Sequence, residues 1–235
     1  MGLAERGTSE AACERLAHQP TGKRSRACED GDVISQRDRT RALQAASLCL
    51  DYPDESLRTH LPLLVQTADA LPAPAGPLLR RFVDHLATTP PETLVRHYVE
   101  TFDLRKRCCP YLSYYAYGDT RKRGMALLRF THAYRTAGMT VADRELPDHI
   151  AVVCEAAAVA PDAGLPLLAE NRAGLELLRL ALAEAASPYV DVVDLIRAVL
   201  PEPTPRDLDK ALALARSGPP AEEVGLEPFA PPAHL

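Results

Sequence analysis

Two adjacent cysteines, a run of cations and one Glu-Leu-Pro-Asp-His element are the residues of this chain whose types and spacing suit chemistry. Cys108 and Cys109 follow directly on Arg105, Lys106 and Arg107. Neighbouring cations stabilise a thiolate, so a redox or metal site is one reading of the pair. Two small apolar fillers at a loop–helix junction is the other. Zinc knuckles separate their cysteines so that both thiolates reach one ion, and an adjacent pair lacks that spacing. Cys154 falls on an apolar helical stripe and is expected in the core.

The second element is Glu145-Leu146-Pro147-Asp148-His149. Proline in a first turn and carboxylates near the positive end of a helix predict a helix that begins at Pro147-Asp148. That accounts for Pro147 and Asp148 and leaves the clustering of Glu145, Asp148 and His149 unexplained. Together the three suit an Arg-bearing segment held by charge-assisted hydrogen bonds. Hydrolysis by Asp148 and His149 would need a nucleophile, and none is identifiable. Residues 105–135 also hold eight Lys or Arg against a single acid, Asp119. They fit a patch for an acidic partner or anionic cofactor, or solvated helix surface balanced by Glu100 and Asp103. Six of the chain's twelve Phe and Tyr lie between Tyr98 and Tyr117, beside those cations. Aromatics concentrated in this way give contact area at low entropic cost, which suits a surface that grips a partner. The sequence has no Gly-rich phosphate loop, HExxH, GxSxG or CxxC motif.

These residues must be positioned by helices, because no run alternates with a period of two for long enough to make a strand. Ala42, Ala45, Ala46, Cys49 and Leu50 share one helical face, stopped by Tyr52-Pro53-Asp54. Further helices are predicted over about 55–71, 77–87 and from Thr89-Pro90 onward, where Val95, Tyr98 and Phe102 share a face. Asp119 is expected to cap a helix carrying Leu127, Phe130 and Tyr134, which ends at Gly138. Later stripes are Ile150, Val153, Cys154 and Ala157; Leu175, Leu178 and Leu182; and Val192, Leu195, Ile196 and Val199. A short last helix is expected at 206–216. The fold class is therefore all-α: one multi-helix domain over 37–216. It is flanked by a polar segment, 1–36, expected to be disordered or extended, and by a Pro-rich acidic tail, 217–235.

Composition excludes several function classes. A net charge of -5 argues against a general nucleic-acid binder. No stretch approaches the roughly 18 apolar residues of a membrane span, and no secretory signal is visible, so a cytoplasmic protein is expected. The irregular spacing of the six cysteines is no disulfide framework.

Four elements carry a family resemblance in order and spacing. They are Tyr52-Pro53-Asp54, Tyr98-Val99-Glu100-Thr101-Phe102-Asp103, Tyr117-Gly118-Asp119-Thr120-Arg121-Lys122-Arg123-Gly124 and Arg144-Glu145-Leu146-Pro147-Asp148-His149. Over about residues 40–200 the chain resembles the NarJ family, the nitrate reductase molybdenum cofactor assembly chaperones of the wider TorD/DmsD-like group. It departs from that pattern at Tyr117, where the family pattern has a His before the Gly. The resemblance implies an all-α chaperone, not an enzyme, with no resident cofactor or metal. It implies binding of the N-terminal segment of the catalytic (alpha) subunit of nitrate reductase. That subunit is then held soluble while molybdenum cofactor and an iron–sulfur cluster are inserted. By motif match, Asp148 and His149 contribute to peptide binding. An amphipathic peptide helix lays its apolar face in a groove. Tyr98, Phe102, Tyr114 and Tyr115 are the expected lining, with Glu145 and Asp148 receiving the peptide's basic residues and His149 tuning the contact with pH. Arg121, Lys122 and Arg123 are expected to stay free for acidic surface of the same subunit. The competing class is a thiol or metal redox protein built on Cys108 and Cys109.

Overall fold

The structure, a computed structural model, describes residues 34–141 and 145–217. The N-terminal segment, the tail beyond Ser217 and Arg144 lie outside the described residues. Within them the chain is helical, as the periodicity predicts. The helices are α1 (Gln36–Leu50), α2 (Glu55–Ala70), α3 (Ala75–Thr88), α4 (Pro91–Tyr98), α5 (Tyr114–Tyr117), α6 (Arg121–Thr136), α7 (Ile150–Val159), α8 (Pro161–Glu170), α9 (Arg172–Glu184), α10 (Tyr189–Val199) and α11 (Pro205–Ser217). A π turn, Val99–Asp103, extends α4, and a 3-10 turn spans Lys106–Cys108.

The centre of the domain is α1. Ser35 caps it, its Oγ accepting from the Asp38 N–H at 3.1 Å. Every residue from Ala42 to Leu50 is buried. A stretch buried on every side must be surrounded, and α1 packs against α7, α10 and α2. α10 also packs on α3, where Arg81 reaches Asp191 at 2.5 Å. α9 lies beside α10 and α11, and Arg197 of α10 meets Glu176 of α9 at 2.8 Å. α7 and α8 approach so closely that a Cβ on Gly164 would come within 2.2 Å of the Ala157 backbone nitrogen. Only glycine fits there.

Two local expectations are corrected. Asp119 does not cap α6: the N-cap is Thr120, which makes no side-chain capping bond, and Asp119 turns to Arg123 at 3.5 Å. The helix after the Glu-Leu-Pro-Asp-His element begins at Ile150 rather than Pro147, with His149 as its cap. Gly138 does end α6, with φ +73°, a conformation open to glycine without strain.

Candidate binding site

Residues 110–113 run beside residues 147–150 in a short antiparallel bridge at Tyr111 and His149. Leu112 N–H donates to the Asp148 carbonyl at 3.0 Å, and Ile150 N–H to that of Pro110 at 2.9 Å. Asp148 is wholly buried at this junction. Its Oδ2 accepts from Ser113 Oγ at 2.5 Å, from Ser113 N–H at 3.3 Å and from Arg123 Nη2 at 3.4 Å. Arg123 Nε also donates to Ser113 Oγ at 3.3 Å, which closes a three-residue ring. Asp148 Oδ1 is buried with no hydrogen-bond partner among the described residues, a cost that the surrounding contacts must offset.

His149 is buried beside it. Its Nδ1 accepts from Ala151 N–H at 3.3 Å and so carries no proton in the capping state. Burial holds the ring's pKa below the ordinary 6.5, against the smaller opposing pull of the Glu145, Asp51 and Asp148 carboxylates. The Tyr111 ring meets the imidazole edge-on, with centroids 5.4 Å apart. Its hydroxyl donates to Glu145 Oε1 at 2.9 Å, and the Arg123 guanidinium lies 5.2 Å from its ring centroid. The sequence thus brings Glu145, Asp148 and His149 together. The Asp148 and His149 side chains face the interior.

The expected aromatic lining is also internal. Tyr98, Phe102 and Tyr115 are 7%, 5% and 3% exposed, which places them in the core rather than on an open wall. The Tyr98 and Phe102 rings meet at a tilt of 55° with centroids 4.9 Å apart, and each meets the ring of Tyr189 edge-on. The π turn keeps Phe102 inward where α4 ends. The Tyr115 hydroxyl donates to the carbonyls of Arg107 and Cys109. Tyr114 is half-buried, its ring 6.0 Å from that of Tyr115. Arg121 and Lys122 are exposed on α6, but Arg123 is drawn in to Asp148 and is not free for a partner.

The thiols are not activated. Burial raises the Cys108 pKa above 9.0 despite Arg105 and Arg107, and pushes Cys109 up to about 11. Among the described residues no three His, Cys, Asp or Glu side chains are placed to hold a metal ion.

Sequence reasoning missed an open apolar groove between the α1–α2 loop, α2 and α4. Its volume is about 470 Å³, and Tyr52, Leu57, Leu61, Leu86, Leu94 and Val95 are among its lining. A volume of that size accommodates several side chains of a bound segment. Asp54 and Glu55 stand at its rim with Arg58. Asp54 is fixed by capping α2, its Oδ1 accepting from the N–H of Ser56 at 2.9 Å and of Leu57 at 3.4 Å. Tyr52 is 47% exposed, large and apolar for such a position, and its ring packs on Tyr98 at 5.4 Å. Asp51 precedes it and lies close enough to bear on His149. The groove and the buried junction are therefore neighbours, joined through Asp51, Tyr52 and Tyr98. The signal in the sequence was Tyr52-Pro53-Asp54, an aromatic and an acid in a tight interhelical loop. It reads as a helix stop because Pro53 dominates it.

No helix among the described residues is long and apolar enough to cross a membrane. Comparison with known proteins agrees with the fold and adds a family. A solved putative redox enzyme maturation protein from Archaeoglobus fulgidus superposes with a TM-score of 0.50 at 24% identity, covering 74% of this chain and 98% of that one. The nitrate reductase-like protein NarX of Mycobacterium tuberculosis is 42% identical over 152 residues. That match takes in 64% of this chain, which spans only 23% of the length of that relative. The probable nitrate reductase molybdenum cofactor assembly chaperone NarJ of Bacillus subtilis is 31% identical over 171 residues, 71% of this chain and 92% of its own. The Escherichia coli K12 chaperone NarJ is 29% identical over 158 residues, 66% of this chain and 67% of its own. The nitrate reductase delta subunit family matches residues 68–194, and with relatives of this kind the chain belongs to that family.

Proposed function

We propose that this protein is a chaperone of nitrate reductase assembly. It takes the N-terminal segment of the apo catalytic subunit and keeps that subunit competent for molybdenum cofactor and iron–sulfur insertion and for membrane assembly. The observation that carries this reading is the groove at Tyr52: an open apolar cleft with the carboxylates of Asp54 and Glu55 at its rim. A segment with an apolar face and basic residues matches both features. Its apolar side chains displace water from Leu57, Leu61, Leu94 and Val95. Its cations meet Asp54 and Glu55 at the solvent edge, where charge contributes more to orientation and encounter than to affinity. Asp148 and His149 act on this binding from behind the wall. They hold the 110–113 segment, and their neighbourhood reaches the groove through Asp51 and Tyr52. Two relatives bear the name of nitrate reductase molybdenum cofactor assembly chaperone, which supports the same client.

The test is co-expression of the tagged full chain with the catalytic subunit. The reading expects the apo subunit to be retained on the chaperone, and retention to fail when the subunit's N-terminal segment is removed before its nascent fold forms. A subunit that acquires cofactor at the normal rate without the chaperone would contradict it.

A further inference from the structure

The α4 wall of the groove is lightly held. Of the eight residues of α4 only Leu94 and Tyr98 are buried, and its N-cap residue, Pro90, makes no side-chain capping bond. An element with so few buried contacts moves at low cost. Pro91, Leu94 and Val95 of this helix line the groove, and so does Leu86 of α3. Behind that lining, one half-buried histidine from each helix meets the other. His85 adjoins Leu86, His97 follows Val95 by two residues, and their ring centroids are 6.3 Å apart.

His97 fastens α4 to the rest of the domain. Its Nε2 lies 2.9 Å from Ser187 Oγ and 3.3 Å from Thr101 Oγ1, and its ring stacks on that of Tyr189 at 5.8 Å. Ser187 is buried in the turn before α10. That turn holds Ala186 at φ +50°, a conformation that costs an alanine and persists only where the surroundings fix it. The anchor is therefore rigid and α4 is the part that gives. His85 Nδ1 lies 3.3 Å from Oγ1 of Thr89, the C-cap of α3. From Tyr189 the ring contacts continue through Tyr98 to Tyr52 in the groove.

Among the described residues, the charges that bear on His97 are Glu100, which favours its cation, and Arg105, which opposes it. His97 in turn opposes a charge on His85. Arg81, one turn before His85, is paired with Asp191 of α10. Burial raises the phenols of Tyr98 and Tyr189, so neither ring brings a charge. Burial is also the largest influence on the two imidazoles, and it holds each pKa below 6.5. Both rings take up protons only as pH falls into the acid range.

We propose that His85 and His97 are positioning residues for the α4 wall, and that protonation of the pair drives α4 away from α3 and loosens the groove's hold on its segment. Two cations at this spacing repel, and the half-buried site replaces little of the hydration each would lose. With Ser187 fixed, the displacement falls on α4 and carries Leu94 and Val95 with it. The inference rests on the groove reading above and adds a control on that same site.

The experiment titrates the full chain with a synthetic N-acetylated peptide of the client's N-terminal segment, any His in it replaced by Gln. Measurements at about pH 7.5 and about pH 5.5 bracket the charge change of a histidine. Circular dichroism gives the folded fraction at each pH. Wild type is expected to bind at least about fivefold more weakly at the lower pH. The double variant His85→Asn with His97→Gln keeps polar atoms near the ring nitrogens that bond Thr89 and Ser187, and takes up no proton. Its affinities at the two pH values are expected to agree within about twofold. His149→Asn is expected to keep the fall. Methyl-labelled wild type gives a reading independent of the variants: the Val95 methyl resonances should shift with the midpoint of the His97 ring. A fall that the double variant keeps, or that His149→Asn removes, assigns the pH dependence to the junction or the rim and overturns the proposal. So does a Val95 signal that ignores the His97 titration. Wild type that binds equally at both pH values sinks this inference alone. Wild type that binds at neither sinks the groove reading with it.

Discussion

The groove at Tyr52 and the junction at Asp148 are neighbours with opposite construction. The groove is open, apolar and edged by the carboxylates of Asp54, which caps α2, and Glu55. The junction is sealed and polar, with a buried carboxylate shared by Ser113 and Arg123. Residue chemistry alone points to the junction as the contact surface, because it gathers an acid, an imidazole and tyrosines. Burial reverses that assignment. A side chain that no solvent reaches cannot meet a client without the fold opening, so the proposed reading gives Asp148 and His149 a positioning role and the contact to the groove. The difference teaches that charge and aromaticity locate an important place in a sequence, and exposure decides what kind of importance it has.

The largest expected effect breaks the junction. Asp148→Ala leaves Arg123 and Ser113 without their shared acceptor and should lower the unfolding free energy by about 3 kcal/mol, read from urea denaturation. Peptide affinity of the folded fraction should change by less than about threefold, under 0.7 kcal/mol. Intact stability with collapsed affinity would make the junction a contact surface and abolish the contrast.

The next effect falls on the groove. Val95 is half-buried at its wall, so Val95→Arg should keep stability within about 1 kcal/mol. Calorimetric titration with the client peptide should show at least about tenfold weaker binding, or 1.4 kcal/mol. An unaltered titration would move the site elsewhere.

A pH series separates the regions again. His149 has its pKa held below 6.5 by burial, so the unfolded state takes up the proton first as pH falls. Its contribution is therefore full above pH 6.5 and declines below it, by at most about 1.4 kcal/mol per pH unit. His149→Asn keeps a capping acceptor at this position and should flatten the acid side of the stability profile. An unchanged slope would mean that His149 does not titrate on unfolding in this range.

The smallest effect is at the rim. Asp54→Asn with Glu55→Gln should weaken peptide binding only about two- to threefold, since exposed charge pairs contribute about 0.2–1 kcal/mol each. The difference should vanish at about 1 M salt, where screening acts within about 3 Å. A loss that persists at high salt would show the carboxylates contacting the peptide out of water.

Much of the fold was legible in the sequence because amphipathic helices announce themselves. The stripes at Ala42–Leu50, Phe130–Tyr134 and Val192–Val199 all point into the core, as their spacing predicts. α8 was not legible: glycine and proline weaken a helical pattern, yet Pro166 sits inside the helix and Gly164 lets it pack on Ala157. α5 is a single turn, too short for periodicity to register. Of the site, the co-location of Glu145, Asp148 and His149 was legible, but their orientation was not. It depends on the bridge to Tyr111, a pairing between segments more than thirty residues apart. The groove was illegible for a related reason. Its walls come from the α1–α2 loop, α2, α3 and α4, and no one of these segments shows the groove by its own spacing.

The central claim is that the client's segment lies in the groove and not on the aromatic and acidic junction. Photo-crosslinking tests it most directly, with benzoylphenylalanine placed at Val95 in one full-length variant and at Tyr114 in another. The account predicts an adduct with the client's N-terminal peptide from position 95 and little or none from position 114. A strong adduct at 114 with none at 95 would contradict it.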